Sequence, residues 1–437
     1  MASAREAHDI VDGGGLYFSH AVTAGPFVFL AGVAADESGG VAADARVEAP
    51  YAISSQAQVV KQTEYVFGKY KERLEALGGS ANDFVQVEQH IPYKKYADGY
   101  IDTSRGPEFM AVGRPTSALL ATGDLLPHGC VINPTGIAVI ADGDVKKEIP
   151  GSSAGYQEGL TKGEYGDSYE EEGPFNEIVT AGGYVFTVGD ISNDWELGAI
   201  PPGTRVSQHV WWGNEIRNET EYLLERLKGW LESVETGLEN LVHVSVYLID
   251  MNDIFELDRV WKKVWPTDPP ARTVIPCRSL GVPRFEGEGL NHRDGAVKTE
   301  FIARSMRPGF GIEREAVSSG NDPLLHEAEA MKAGNLLWIS GQFAGGVDGL
   351  ETKPDTAAQL DHIMGTLDAT CKAGGTSIDR LVRLRAFLTD PEEAPLVYGA
   401  LKKAVPSNPP TVMVTGVPGP FPVPGATVML DAVAEAG

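Results

Sequence analysis
An internal repeat constrains this chain more than any other feature. The segment AGPFVFLAG from Ala24 alternates as a half-buried strand, and the same shape returns as AGGYVFTVG from Ala181 and AGNLLWISG from Ala333. The first two occurrences stay in step without a gap: Gly32 matches Gly189, the helical QTEYVF from Gln62 matches ETEYLL from Glu219, and the strand from Phe84 matches that from Leu241, each pair 157 positions apart. The third runs 152 positions behind the second at Gly341 and 140 behind at Leu381, because it lacks a 12-residue stretch before its first helix. Unrelated segments of similar composition do not keep such an offset. With 437 residues the length also suits about three domains, so the chain is expected to hold three copies of one domain.

Within each copy the order is strand, strand, amphipathic helix, strand, short helix, a Pro-bearing turn and two more strands, an α+β pattern. In the second copy Ile216, Leu223, Leu227 and Leu231 recur at helical spacing between Glu, Arg and Lys. The strand LVHVSVYLID follows, and then the helix IFELDRVWKKVW from Ile254, stopped by Pro266. The expected boundaries are a first copy over 1–145, a linker over 146–172 rich in Gly, Ser and acidic residues, a second copy over 173–306, a short linker over 307–312 and a third copy over 313–437.

The formal charge of −25, with no compensating basic block, argues against nucleic acid or an anionic membrane as a primary partner. Cys130, Cys277 and Cys371 are far apart and odd in number, which supports neither a disulfide framework nor a metal site. The N-terminus carries charges where a signal peptide is apolar, and no run of 18 apolar residues occurs. These features lead to the expectation of a cytoplasmic protein with no cofactor and no metal, acting on a small molecule.

Candidate chemistry concentrates between Pro266 and Ile302. Arg272 in ARTVIP and Glu300 in AVKTEFIA sit on two short β-branched segments joined by one loop. Strands so joined usually pair, so the guanidinium and the carboxylate are expected to face one cleft; the plainer alternative is a cross-strand ion pair. The loop from Gly281 to Gly295 adds Arg284, His292 and Arg293 as candidate lining residues. His128 with Cys130 resembles a thiol and its base but lacks a third group, and Trp211-Trp212 after His209 reads as packing. Gly13-Gly14-Gly15 lacks the rest of a phosphate-binding fingerprint and reads as a flexible lead-in.

Taken in order, the Ser340-Gly341-Gln342 block, the strands closed by Asp250 and Asp390, the Pro269-Pro270-Ala271-Arg272 turn and the VKTEFIA strand resemble the Rid family, the reactive-intermediate deaminases also called L-PSP endoribonucleases. The resemblance implies a small sheet backed by two helices and a homotrimer with sites in the clefts between subunits. Here it implies three tandem Rid-like, chorismate-mutase-like domains forming an intramolecular pseudo-trimer, leaving open whether that unit pairs further. The family's carboxylate-binding arginine falls on Arg272 and its acidic residue on Glu300. In the first copy these become Ser117 and Thr135; in the third no arginine remains, while Asp431 takes the acidic place. The family's serine is kept as Ser340, followed by Gln342, but is Ala31 and Val188 elsewhere, and its aromatic falls on Tyr17 or Phe18 and on Phe175. The implied activity is hydrolytic deamination, or a related C–N hydrolysis, of a small carboxylate-bearing imine, enamine or enamide. Arg272 would anchor the carboxylate and Glu300 would activate water. A chorismatase-like hydrolase and a non-catalytic metabolite-binding pseudo-trimer are the alternatives, and the charge disfavours ribonuclease activity.

Overall fold
The computed structural model describes residues 5–36, 39–48, 55–106, 108–110, 113–143, 145–150, 175–193, 200–206, 213–280 and 297–436. Each copy builds the same six-stranded sheet, to which the second copy adds a short strand over Asp190–Ile191. In the first copy the strands are β1 (Glu6–Gly13), β2 (Leu16–Ala24), β3 (Phe27–Ala31), β4 (Phe84–Ile91), β5 (Thr116–Ala121) and β6 (Asn133–Val139), with helices α1 (Ser55–Ala76) and α2 (Ala97–Ser104). The second has β7 (Lys147–Glu148), β8 (Ile178–Ala181), β9 (Tyr184–Thr187), β10 (Leu241–Leu248), β11 (Ala271–Pro276) and β12 (Thr299–Met306), with α3 (Glu215–Ser233) and α4 (Ile254–Val264). The third has β13 (Arg314–Val317), β14 (Ala330–Ala333), β15 (Leu336–Gln342), β16 (Leu381–Leu388), β17 (Thr411–Gly416) and β18 (Val428–Glu435), with α5 (Thr356–Ala373) and α6 (Ala394–Ala404).

Strand order is the same in all three sheets: β1-β2-β3-β6-β4-β5, then β7-β8-β9-β12-β10-β11, then β13-β14-β15-β18-β16-β17. The fourth and fifth strands of each copy run parallel. A parallel pair needs a crossover, and the second helix of each copy supplies it. One sequence expectation changes here. Gly14 and Gly15 form the two-residue turn of the β1–β2 hairpin, both with positive φ (60° and 81°), as a hairpin turn of the mirror-image type demands. The strand before them, EAHDIVDG, is an exposed polar edge, so no apolar alternation marks it.

One face of each sheet is covered by its own helices. In the second copy Asn214 caps α3 by accepting the Arg217 N–H, and Leu223, Leu227 and Leu231 pack with Leu257 and Trp261 of α4 onto Val244, Val246 and Phe301. The opposite faces meet each other. Phe27 and Phe29, Val179 and Phe186, and Leu336 and Trp338, one pair from each copy, share one buried cluster; Leu120, Tyr247 and Phe387 share a second. Around the axis the edges close in a ring through one repeated backbone bond: Asn176 N–H to Pro115 O (3.2 Å), Ala328 N–H to Pro270 O (3.2 Å) and Ser19 N–H to Pro410 O (3.0 Å). The chain is an intramolecular pseudo-trimer of α+β domains.

A charged layer lies among the facing strands. Glu88 of β4, Ser245 of β10 and Arg385 of β16 hold equivalent places, as the pairing register shows. Arg385 bonds Glu88 (2.8 Å), Asp431 (2.9 Å) and Ser245 (3.0 Å), while Arg304 bonds Glu88, Gln86 (2.7 Å) and Ser245 (2.8 Å). Tyr247 donates to Glu88 at 3.2 Å. Burial opposes ionisation of Glu88, but Arg304, Arg385 and Arg383 overcome it and hold the carboxyl well below the usual range.

Candidate functional site
Strand pairing decides where the two sequence-selected charges go. On β10, Val244 pairs with Arg272 on one side and Ala303 on the other, whereas Tyr247 pairs with Glu300. Paired residues share a face, and Val244 and Tyr247 are three apart, so Arg272 and Glu300 lie on opposite faces of the sheet. They also serve different clefts. The Arg272 amide donates to Ser340 Oγ of the third copy (2.9 Å), whereas Glu300 Oε1 lies 2.1 Å from where a Cβ on Gly189 would sit, a position also 2.7 Å from Ala118 of the first copy. The expectation that both face one cleft is therefore corrected: β10 separates their strands, and an odd residue offset reverses the face.

The register keeps Ser117 as the equivalent of Arg272 and corrects the equivalents of Glu300. Ser117 and Val412 take the place of Arg272. Asn133 and Met429 take the place of Glu300, while Thr135 and Asp431 match Ile302. The slip is two residues, which preserves the buried face and so is invisible to hydrophobic alternation. The ring-closing bonds place Phe18 with Phe175 and, in the third copy, Glu327.

Three clefts of different character result. Between the third and first copies, Phe18 and Tyr17 pack into the core of the third copy, with Phe18 6.4 Å from Tyr398 and the Tyr17 hydroxyl donating to Val405 O (2.8 Å). This cleft is filled. Between the second and third copies, Arg272 is fully buried, stacked 4.6 Å over Trp261, and bonded to Asp258 (2.6 Å) and Glu327 (3.0 Å). Ser340 Oγ donates to Ala328 O (2.6 Å) while accepting from Arg272, and Gln342 donates to Ser340 O (3.2 Å). A cavity of about 600 Å³ opens beside Glu327, lined by Ser340, Gln342, Glu329, His362 and Asp322 among others.

Between the first and second copies, charge of both signs reaches adjacent residues of β5. Arg105, just past the end of α2, donates to Ser117 Oγ (2.8 Å), which also accepts from Gln89 (3.0 Å). Ser117 O accepts the Gly189 N–H (3.1 Å), and Glu300 crowds Gly189 and Ala118. Asp190, at the position held by Gln342 in the third copy, accepts from Arg226 at 2.9 Å; burial pushes its carboxyl up to about 7, against the pull of Arg226 and with the push of Glu177. Glu219 accepts the Lys298 N–H (2.9 Å), and burial pushes it up to about 7 as well. Its equivalents in the other copies are amides, Gln62 and Gln359, accepting from Val131 (2.8 Å) and Thr427 (3.0 Å). Comparing the repeats at this position was the signal that sequence reasoning could have used.

Glu219 yields a stability prediction. A folded pKa raised above the ordinary 4.5 makes a contribution that is fully present below about pH 4.5 and is lost as pH rises through about 7. Glu219→Gln is neutral throughout, so it should match the wild type near pH 4.5 and exceed it at pH 8 by about 2–3 kcal/mol. Urea unfolding at both pH values checks this; an equal gain at both would remove the burial argument.

Phe175 packs half-buried against the core of the second copy. Arg284, His292, Arg293, His209, Trp211 and Trp212 lie outside the described residues. Cys130 is buried, its thiol pushed up to about 12 by desolvation, while His128 is exposed and 2.8 Å from Glu392, so they do not form a nucleophile and base. Among the described residues no group of three His, Cys, Asp or Glu is placed to hold a metal ion, and no helix is long and apolar enough to cross a membrane.

Comparison with known proteins covers the same ground. The profile of the family described as Endoribonuclease L-PSP matches residues 166–288 and 324–436, together more than half of the chain. A RutC family protein of Pyrococcus horikoshii is 30% identical over 108 residues, 25% of this chain and 77% of that protein. The mitochondrial protein mmf2 of Schizosaccharomyces pombe is 28% identical over 131 residues, 30% of this chain and 87% of that protein. Among solved structures, a chorismatase aligns over 81% of this chain and 93% of its own at 11% identity, with a TM-score of 0.47. The first copy escapes the family profile but repeats the strand order of the other two. The chain belongs to the endoribonuclease L-PSP family, in three tandem copies.

Proposed function
We propose that the chain hydrolyses a C–N bond in a small carboxylate-bearing imine, enamine or enamide, and that it does so between the first and second copies. One observation carries this reading: a guanidinium contacts Ser117 and a carboxylate lies against Ala118, the next residue of β5, beside Asp190, whose carboxyl burial pushes up to about 7. Arg105 presents a planar fork suited to a carboxylate. The C=N carbon of an imine is already electrophilic. Glu300 takes a proton from water as the oxygen adds to that carbon and passes it to the nitrogen; the hydroxyl proton of the resulting carbinolamine then moves by way of Glu300 to the same nitrogen as the C–N bond breaks, releasing ammonia and a carbonyl product. Positioning supplies much of the acceleration. Asp190, with a pKa of about 7, is matched to proton transfer at neutral pH.

The deciding experiment supplies 2-aminoacrylate generated in situ, and separately chorismate, while ammonia and pyruvate are followed. Ammonia release above the uncatalysed rate from 2-aminoacrylate alone is expected. Turnover of chorismate alone would replace this reading with the chorismatase-like one. If neither substrate turns over while a carboxylate still binds, the chain is a metabolite-binding protein, a reading favoured by one observation, the internal pairing of Arg272 with two acids.

A further inference from the structure
Arg383 of β16 is a buried charge that the neighbouring groups leave unanswered. It is 3% exposed, its Nε has no hydrogen-bond partner among the described residues, and its Nη1 stands 3.9 Å from Glu88, too far for a hydrogen bond. Gln86 of β4 and His243 of β10 hold the equivalent places, one layer along the strands from Glu88, Ser245 and Arg385. The acceptors of both layers are engaged by the other two arginines. Gln86 accepts from Arg304 Nε (2.7 Å), and His243 Nδ1 lies 3.3 Å from Arg304 Nη1 while its Nε2 faces Thr273 Oγ1 at 3.1 Å. Ser245 Oγ accepts from Arg304 (2.8 Å) and Arg385 (3.0 Å), Glu88 accepts from both, and Asp431 accepts from Arg385 through each of its oxygens.

A second donor in the same place lacks an acceptor. The Arg383 guanidinium lies 5.4 Å from the centre of the Trp338 ring, and the indole Nε1 of Trp338, itself 1% exposed, has no hydrogen-bond partner among the described residues. Both donors belong to the third copy alone. The register sets Phe29 and Phe186 at the place of Trp338, as it sets Gln86 and His243 at that of Arg383. Two copies therefore build this layer without either group, although a donor buried with no acceptor costs the desolvation of its polar atoms.

Charge gives the sign of what answers them. Arg304, Arg383 and Arg385 face Glu88 and Asp431, three positive charges against two negative ones, a sum of +1. Burial keeps His90 and His243 uncharged and Tyr247 protonated. Burial and the two other arginines draw Arg383 only down to about 9, so it stays charged at neutral pH. Two further acids lie along these strands and do not serve it: Glu435 is paired with Arg380, and Glu300 sits four residues along β12 from Arg304, about 13 Å away. We infer that the core of the pseudo-trimer holds one small monovalent anion of the chloride class, accepting hydrogen bonds from the Arg383 guanidinium and the Trp338 indole. One negative charge brings the layer to zero, whereas a dianion overshoots to −1 and a water leaves the arginine uncompensated. Built from residues that meet only when the three copies close, the site binds the folded chain alone, and it is independent of turnover between the first and second copies.

Bromide, which scatters anomalously, locates the site in crystals of the full-length chain grown with sodium bromide: a peak at hydrogen-bond distance from the Arg383 guanidinium is expected, and a water or no peak there overturns the proposal. Urea unfolding at fixed ionic strength, with chloride replaced stepwise by gluconate, reads the same site in solution. The unfolding equilibrium constant should fall about tenfold for each tenfold rise in chloride above the dissociation constant, the slope for one anion held by the folded chain alone. Arg383→Met should remove that dependence, and without chloride it should be more stable than the wild type, because an unpaired buried charge is gone. Should Arg383→Met fail to fold, Arg383→Gln removes the charge while keeping a polar group, and it should lose the same dependence. A wild type indifferent to chloride, or a dependence shared equally by the folded variant, overturns the proposal.

Discussion
Glu88→Ala is expected to cost about 3–5 kcal/mol of stability, the scale for removing one partner of a buried ion pair. Glu88 is 1% exposed and stands between Arg304 and Arg385, with Arg383 3.9 Å away. Without it, three buried arginines share one carboxylate, Asp431, which already belongs to Arg385. Arg383 is the most exposed to that loss: burial and the neighbouring arginines have already drawn its pKa down to about 9. Because the layer joins all three copies, the damage should appear in a single cooperative transition rather than in one domain. Denaturant unfolding measures it, and a loss below about 1 kcal/mol would show that the layer is weakly coupled to folding.

The same layer shows what a single chain permits that a symmetric trimer does not. Three identical subunits place the same residue at three equivalent positions around an axis. Three glutamates or three arginines at the place of Glu88 would repel across the core. Here the places hold Glu88, Ser245 and Arg385, an acid, a hydroxyl and a base that satisfy one another. The clefts diverge likewise: Ser117 with Glu300, Arg272 with Met429, and Val412 with Asn133.

Much of the fold was legible because it is written three times. Helix α3, Glu215–Ser233, carries Ile216, Leu223, Leu227 and Leu231 at the helical spacing read from the sequence, and the strand from Leu241 and the helix from Ile254 also appear where periodicity put them. The exposed edge strand β1 was not legible, for its sequence has no buried stripe. At the site, residue types were legible and partnerships were not. A two-residue register slip leaves hydrophobic alternation intact, so Met429 and Asn133 could not be told from Asp431 and Thr135 as equivalents of Glu300. Arg105, Asp258 and Glu327 come from a helix end, a helix and a loop outside the strand motifs; folding of one copy brings Arg105 to Ser117 and Asp258 to Arg272, and closure of the ring brings Glu327 to Arg272.

The largest kinetic effect is expected at Glu300. Glu300→Gln keeps the size and hydrogen-bonding capacity of the side chain beside Gly189 but removes the base, so kcat for imine hydrolysis should fall about 10²–10⁴-fold with little change in KM. Arg105→Gln should show the complementary pattern. It loses the charged fork that would hold the substrate carboxylate, at about 2–5 kcal/mol, and this should appear chiefly as a raised KM. The split between the two variants separates chemistry from anchoring, which a loss of fold would not do, since misfolding lowers the active fraction and leaves KM unmoved. Circular dichroism on each variant checks that point directly. A Glu300→Gln enzyme with full turnover would remove the general-base role. A raised KM in Arg105→Gln would then still locate substrate binding between the first and second copies, leaving the role of base to Asp190, whose carboxyl burial pushes up to about 7.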